Sequence, residues 1–395
     1  MKGRRAIVNQ RISLSLIAAV VVLTALCATT VLGAPSFQGI GFLPGGTSSS
    51  ANGISGDGKI VIGSGNSTNG ASEALRWEAG VSVGLGSLYQ GASFSSQAYA
   101  ISGDGSTIVG RSLNPDYGYN VGFRWTSDWG MIELQRLFDG TLTGAAQAMG
   151  VNNDGSLIGG QGTQGTKGVR GCYWPDAFGP AFELGTTRPS RATDISEVAA
   201  RRFSGYENGT AARQAITHSG TAKTILPNLA GATGTRLSEA QAITKDANYI
   251  AGYSASGGTS SRAARWAWDP LLNGGLGAYT IMALSGAPSG SYAMAISEDG
   301  QVLVGAGGGQ AFIWDPIHGY RNVIDVLKYL GFDMTGWTLT QGTGISFDGY
   351  TLCGMGTFNG VSQGWTASVP EPSSLLAFAV GLTSLAGALI RRRTS

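Results

Sequence analysis

The sequence predicts an all-β fold, a seven-bladed β-propeller of four-stranded blades over residues 36–368. Three observations predict it. One pattern recurs seven times at intervals near 48 residues. Glycine makes up 64 of 395 residues and only 13% are charged, which favours short strands and tight turns over helices. The last copy lacks a strand, and a strand without a copy stands at the head of the array.

In each copy an apolar anchor precedes a polar turn: Ile54, Ile101, Val151, Ile195, Ile243, Ile296 and Ile345, spaced by 47, 50, 44, 48, 53 and 49 residues. Ser, Thr or Asn follows every anchor. Asp comes third after it in six copies, at Asp57, Asp104, Asp154, Asp246, Asp299 and Asp348. In runs such as Ser55-Gly56-Asp57-Gly58, Asp and Gly supply the left-handed backbone of a hairpin turn. Glycine stands at the ninth position after the anchor in six copies, and the longer fourth copy reaches Gly205. Tryptophan lies in the third strand at Trp77, Trp125, Trp174, Trp266, Trp314 and Trp365, with Ile216 in its expected place in the fourth copy. Three residues before each anchor is Ala51, Ala98, Ala148, Ala192, Ala240, Ala293 or Gly342. Alternation of period two puts these small residues on the face opposite the anchor, where neighbouring sheets approach.

The second copy shows four strands most plainly: Ala98 to Ser102, Ser106 to Gly110, Gly122 to Trp125 and Met131 to Leu134. Four antiparallel strands per unit of this length make a propeller blade; the coils of a β-helix are shorter. The seventh copy stops after Gln363 to Ala367, without a fourth strand. The orphan segment Phe37 to Leu43 is predicted to pair into that blade and close the ring, which removes exposed edges. Val323 to Leu330 has helical spacing with Gly331 as its stop, so a short helix is expected on the rim between the sixth and seventh copies.

The two ends are different in kind. Lys2, Arg4, Arg5 and Arg11 precede an apolar run from Leu14 to Leu26, followed by small residues at Ala28, Gly33 and Ala34, the layout of a signal peptide over residues 1–34. Residues 369–395 contain Val369, Pro370, Glu371 and Pro372, then an uncharged run from Leu375 to Ile390, then Arg391, Arg392 and Arg393. That run is 16 residues, roughly 24 Å as a helix, the short limit for crossing a bilayer. The arginines would hold its end in the cytoplasm as a stop-transfer signal. The tail resembles the PEP-CTERM sorting signal of Gram-negative bacteria. The resemblance implies export through the inner membrane, a transient transmembrane helix, and an exosortase-type enzyme that releases or transfers the protein at the cell surface. A permanent anchor is the alternative. Leu43-Pro44-Gly45-Gly46, the Ala-x-x-Ile-Ser-x-Asp-Gly cores and Ala311-Phe312-Ile313-Trp314 are similar to HAF-type extracellular repeats. That resemblance implies surface location and association with exopolysaccharide or biofilm, and brings no catalytic residues.

Little in the interior points to reaction chemistry. Setting aside seven basic residues and one acid in the two ends leaves 19 basic and 23 acidic residues. A slightly acidic chain lacks the electrostatic footprint for nucleic acid. His218 and His318 each adjoin a turn and are expected at the surface, away from any triad. Cys172 and Cys353 fall in distant units and are expected to be free and buried. The repeated Asp residues belong to turn chemistry, so no metal, cofactor or catalytic residue is assigned. Trp129, Trp268 and Trp337 lie outside the repeated register and are the aromatics expected to face a ligand. The expected function is a non-enzymatic exported surface or matrix protein. The alternatives are a lectin-like propeller and a secreted hydrolase.

Overall fold

The computed structural model describes residues 34–369, apart from 69–71, 90–93, 138–143, 177, 186–187, 210–211, 220–221, 236 and 259. The predicted leader, the proline motif after Val369, the apolar span and its arginines lie outside the described residues. Among the described residues no helix is long and apolar enough to cross a membrane.

Residues Ser36–Ala367 form one unit of seven four-stranded antiparallel sheets. Six sheets take their strands consecutively from the chain. The seventh takes three from Trp337–Ile345, Thr351–Phe358 and Val361–Ser368, and its outer strand, Ser36–Gly39, from the other end. The Ile40 amide donates to Gly364 O at 2.9 Å, as Leu85 does to Ala74 O at 2.8 Å in the first blade. The predicted closure is therefore present. Ile40 and Leu43 are buried against Ala51, Leu75 and Trp77 of the first blade. The helix Val323–Tyr329 follows the sixth blade and buries Val323, Val326 and Leu327. Cys172 and Cys353 are free and buried, and burial pushes both thiols above their ordinary range.

The turn chemistry differs from expectation in one respect. Gly58 takes the left-handed conformation (φ +74°), as do Gly105, Gly155, Gly300 and Gly349 in other blades. The aspartate does not. Its carboxylate caps the turn: Asp57 Oδ1 accepts from Ser55 Oγ at 2.7 Å and from the Lys59 amide at 3.1 Å.

The inner strands also correct the alternation argument. Each carries a β-bulge just after the small residue, in the first blade between Ala51 and Gly53. A bulge adds one residue and flips the alternation beyond it. Ala51 and Ile54 therefore pack in one cluster rather than on opposite faces, as do Ala148 with Val151 and Ala240 with Ile243. The bulge also explains the ninth-position glycine. A Cβ on Gly63 would lie 1.9 Å from Ser50 O, and one on Gly205 2.0 Å from Arg191 O. No larger residue fits there.

The tryptophan register needs two corrections. Strand pairing places Trp77, Trp125, Trp174, Trp266 and Trp314 at equivalent points. In the fourth blade that point is His218, opposite Phe203, rather than Ile216. In the seventh, the Ile40–Gly364 bond makes Trp365 equivalent to Leu75 and Phe123, and Ala367 stands at the tryptophan position. Varying hairpin lengths hide both shifts in the sequence.

Candidate functional site

The seven bulged residues Asn52, Tyr99, Met149, Thr193, Gln241, Met294 and Thr343 all line a central channel of about 670 Å³, within the usual size of a small-ligand cleft. Three of them fasten one blade to the next. Asn52 Nδ2 donates to Ala98 O at 2.7 Å, Thr193 Oγ1 to Ala240 O at 2.9 Å, and Thr343 Oγ1 to Ala51 O at 2.8 Å. A serine five residues before the anchor adds another fastening that the sequence analysis did not single out. Ser96 Oγ accepts from the Ala74 amide at 2.9 Å, and Ser190, Ser238 and Ser291 accept likewise from Gly171, Ala215 and Ala263.

One end of the channel is belted by the residue two places after each anchor, with Asp104, the residue following Gly103, donating one of the links. Going round, the Phe347 amide donates to Gly56 O (2.9 Å), Gly56 to Gly103 O (2.9 Å), Asp104 to Asn153 O (3.0 Å), Glu197 to Lys245 O (2.8 Å) and Glu298 to Phe347 O (2.9 Å). Carboxylates complete the two remaining links. Glu197 Oε1 accepts from the Asn153 amide at 3.0 Å, and Glu298 Oε1 from the Lys245 amide at 2.7 Å. Phe347 lies over Gly56 and Gly103, where a Cβ would meet its ring at 2.1 and 2.4 Å. Lys245 Nζ sits 3.5 Å from the centre of the same ring. One aromatic ring thus meets three other blades at this end.

Asp194 is the channel's exceptional group. Gly53, Ala100, Gly150, Ala242, Ala295 and Gly344 occupy its position in the other blades. Its Oδ1 accepts from its neighbour Ile195 at 2.8 Å, and Oδ2 from Ile243 of the next blade at 2.9 Å. Burial pushes its carboxyl up to about 7, with Glu298 adding repulsion. Burial raises Glu298 as well. Both acids already serve backbone amides, so they act as fasteners with acid–base capacity left over.

The histidines divide. His318 lies at a turn, as expected, with Nδ1 3.1 Å from Asp315 Oδ1. His218 is 2% exposed within the strand Arg213–Ser219, which overturns its surface assignment. Neither ring nitrogen has a hydrogen-bond partner, and burial pushes its pKa down to about 4. Trp174 and Trp266, at the same register, donate their indole N–H to Gln135 O and Pro227 O at 2.6 and 2.8 Å.

The three out-of-register tryptophans stand in blades two, five and seven, and the structure does not bring them together. Trp129 is 69% exposed in the turn after the third strand, edge-to-face with exposed Phe178 of the next blade, ring centres 6.0 Å apart. Trp268 packs on Tyr279 at 5.1 Å. Trp337 packs between Phe37 and Phe358 at 5.0 and 5.1 Å, against the ring-closing strand. Phe178 was missed because no repeat feature marks it.

The family model for the PEP-CTERM protein-sorting motif matches residues 368–393. The tail is a PEP-CTERM sorting motif. It begins at the last residue of the seventh blade's third strand and implies export and membrane-associated sorting, with the motif serving as a recognition signal for exosortase processing. No curated protein matches the chain in sequence. Among solved structures, an oligogalacturonate lyase from Vibrio parahaemolyticus is similar in fold, with 12% identity and a TM-score of 0.51 over 86% of this chain and 98% of that one. TolB from Acinetobacter baumannii has 12% identity and a TM-score of 0.39, covering 80% and 64%. A puromycin-hydrolysing peptidase from Mycobacterium tuberculosis has 14% identity and a TM-score of 0.40, covering 78% and 50%. At these identities the first likeness concerns the fold alone.

Proposed function

We propose that the chain is a non-enzymatic surface protein: a propeller exported with a cleavable leader, held at the membrane by its PEP-CTERM span, then released or transferred by an exosortase-type enzyme. The observation that carries this reading is the sorting motif at residues 368–393, which starts where the last propeller strand ends. The channel acids support a structural role, because Asp194, Glu197 and Glu298 each accept a backbone amide from a neighbouring blade. The HAF-like repeats favour association with exopolysaccharide. Mass spectrometry of the C-terminus, in cells with and without the processing enzyme, tests the proposal. Loss of Leu375 to Ser395 only when the enzyme is present is the expected result; retention in both contradicts it.

A second reading is a lectin-like propeller, favoured by the exposed Trp129–Phe178 pair, since exposed rings can stack on sugars. Glycan-array binding that disappears in Trp129→Ser supports it, and binding unchanged in that variant opposes it.

A further inference from the structure

The end of the propeller from which the sorting tail departs carries a crown of exposed apolar side chains. Strand direction alternates within a blade, so turns joining third to fourth strands all lie at one end, together with turns joining first to second. Val81, Trp129, Phe178, Leu271, Leu276 and Ile317 lie in or beside the third-to-fourth turns of blades one, two, three, five and six, each between 60% and 85% exposed. The corresponding turn of the fourth blade, 220–221, lies outside the described residues. In the seventh blade there is no such turn. There the third strand ends at Ser368 and the chain runs on toward its apolar span, while the outer strand begins at Ser36, directly after the leader. Every described turn of this class thus presents an apolar residue, and both membrane-directed segments join the fold at this same end.

We propose that this crown is a membrane-contact surface, seated at the headgroup–acyl boundary of a bilayer while the tail is inserted. The inference rests on the membrane retention proposed above. Six residues, 369–374, lie between Ser368 and Leu375, so the tether spans at most roughly 25 Å and keeps this end near the surface at high effective concentration. Leu, Ile, Phe and Trp side chains are the types that partition into the interface. The centre of the same end carries the turn acids Asp57, Asp104, Asp154, Asp246, Asp299 and Asp348. The favoured surface is therefore zwitterionic, and anionic lipid weakens contact in a salt-screened manner.

The test uses the full chain with Cys27→Ser, reconstituted into phosphatidylcholine vesicles containing spin-labelled acyl chains. Cys172 and Cys353 are buried and stay unlabelled, so a fluorophore reports only on Ile317→Cys, Leu271→Cys or Tyr329→Cys. Tyr329 is exposed at the opposite end, in the helix between the sixth and seventh blades. The expected result is that probes at 317 and 271 lose most of their fluorescence, the probe at 329 keeps its own, and added phosphatidylglycerol relieves the quenching at low salt. Vesicle-bound protein with no quenching at 317 and 271, or with equal quenching at 329, overturns the contact surface and leaves the anchor standing. Protein that fails to float with vesicles removes the anchor and this proposal together. Absent quenching combined with polysaccharide binding lost in Trp129→Ser assigns the aromatic pair to sugar instead.

Discussion

Blades four and seven both depart from the repeat, and for opposite reasons. The fourth is continuous in the chain yet places His218 where five blades have tryptophan. The seventh has its outer strand supplied from the far end of the chain. The seventh blade is well fastened nonetheless: Ile40 bonds to Gly364, Gly364 to Ser49, Thr343 to Ala51, and Phe37 packs on Trp337. The fourth keeps its inner fastenings but buries an imidazole with no partner. Side-chain substitution at one register is tolerated because seam hydrogen bonds to the backbone hold each blade. A broken connection is tolerated only because the closing strand restores every edge.

The largest effect is expected at the closure. Ile40→Asp would bury a charge without a partner at a site 2% exposed, at a cost of at least about 5 kcal/mol. Phe42→Asp, at a site 38% exposed, serves as control, and urea denaturation measures both. Equal stability of the two variants would break the argument that the seventh blade depends on this strand.

The next effect sharpens the account of blade four. Folded His218 stays neutral down to about pH 4, whereas its ordinary value is 6.5, so its contribution is lost as pH falls through that interval. Asp194 acts in the opposite direction. Its carboxyl holds a proton up to about 7 in the fold against an ordinary 3.8, so stability falls as pH rises between those values. The contributions are roughly 3 kcal/mol for His218 and roughly 4 kcal/mol for Asp194, and the two largely offset one another. His218→Leu should therefore grow more stable on acidification from pH 7 to 4, and Asp194→Asn less stable. Thermal melts across that range that slope alike in both variants would contradict these environments.

A smaller effect is expected at the turns. Gly58→Ala forces a side chain into φ +74° and brings its Cβ to 2.8 Å from Thr351 of the seventh blade, for about 1–2 kcal/mol. Trp129→Ser, at an exposed site, should change stability by less than about 0.5 kcal/mol, whatever it does to membrane or glycan contact. Denaturation midpoints separate the two.

The sequence carried the architecture because turn chemistry is local: Asp-Gly after an apolar anchor marks five of the seven hairpins, and the ninth-position glycine marks six of the seven inner pairs. The bulge was not legible, since it leaves composition untouched and only reverses which face later residues occupy. For the same reason Ala51 and Ile54 were assigned to opposite faces. Trp365 was misaligned because the hairpins joining second to third strands vary in length from blade to blade, and His218 because Ile216 two residues earlier looked like the natural apolar substitute. The channel belt could have been found by reading the second residue after each anchor, where Glu197, Lys245, Glu298 and Phe347 replace the small residues of early copies. Of the three tryptophans outside the register, Trp129 is largely open to solvent, while packing claims most of Trp268 and Trp337. Position outside a repeat says that a side chain is free of one role, not which other role it takes.

Native-state amide exchange at Ile40 tests the closed ring most directly. Ile40 N–H and Leu85 N–H occupy equivalent places in blades seven and one, at 2.9 and 2.8 Å from their acceptors. A closed propeller predicts protection of Ile40 comparable to that of Leu85, lost only with global unfolding. Exchange of Ile40 at the rate of a free chain, with Leu85 still protected, would show that the N-terminal strand does not close the ring.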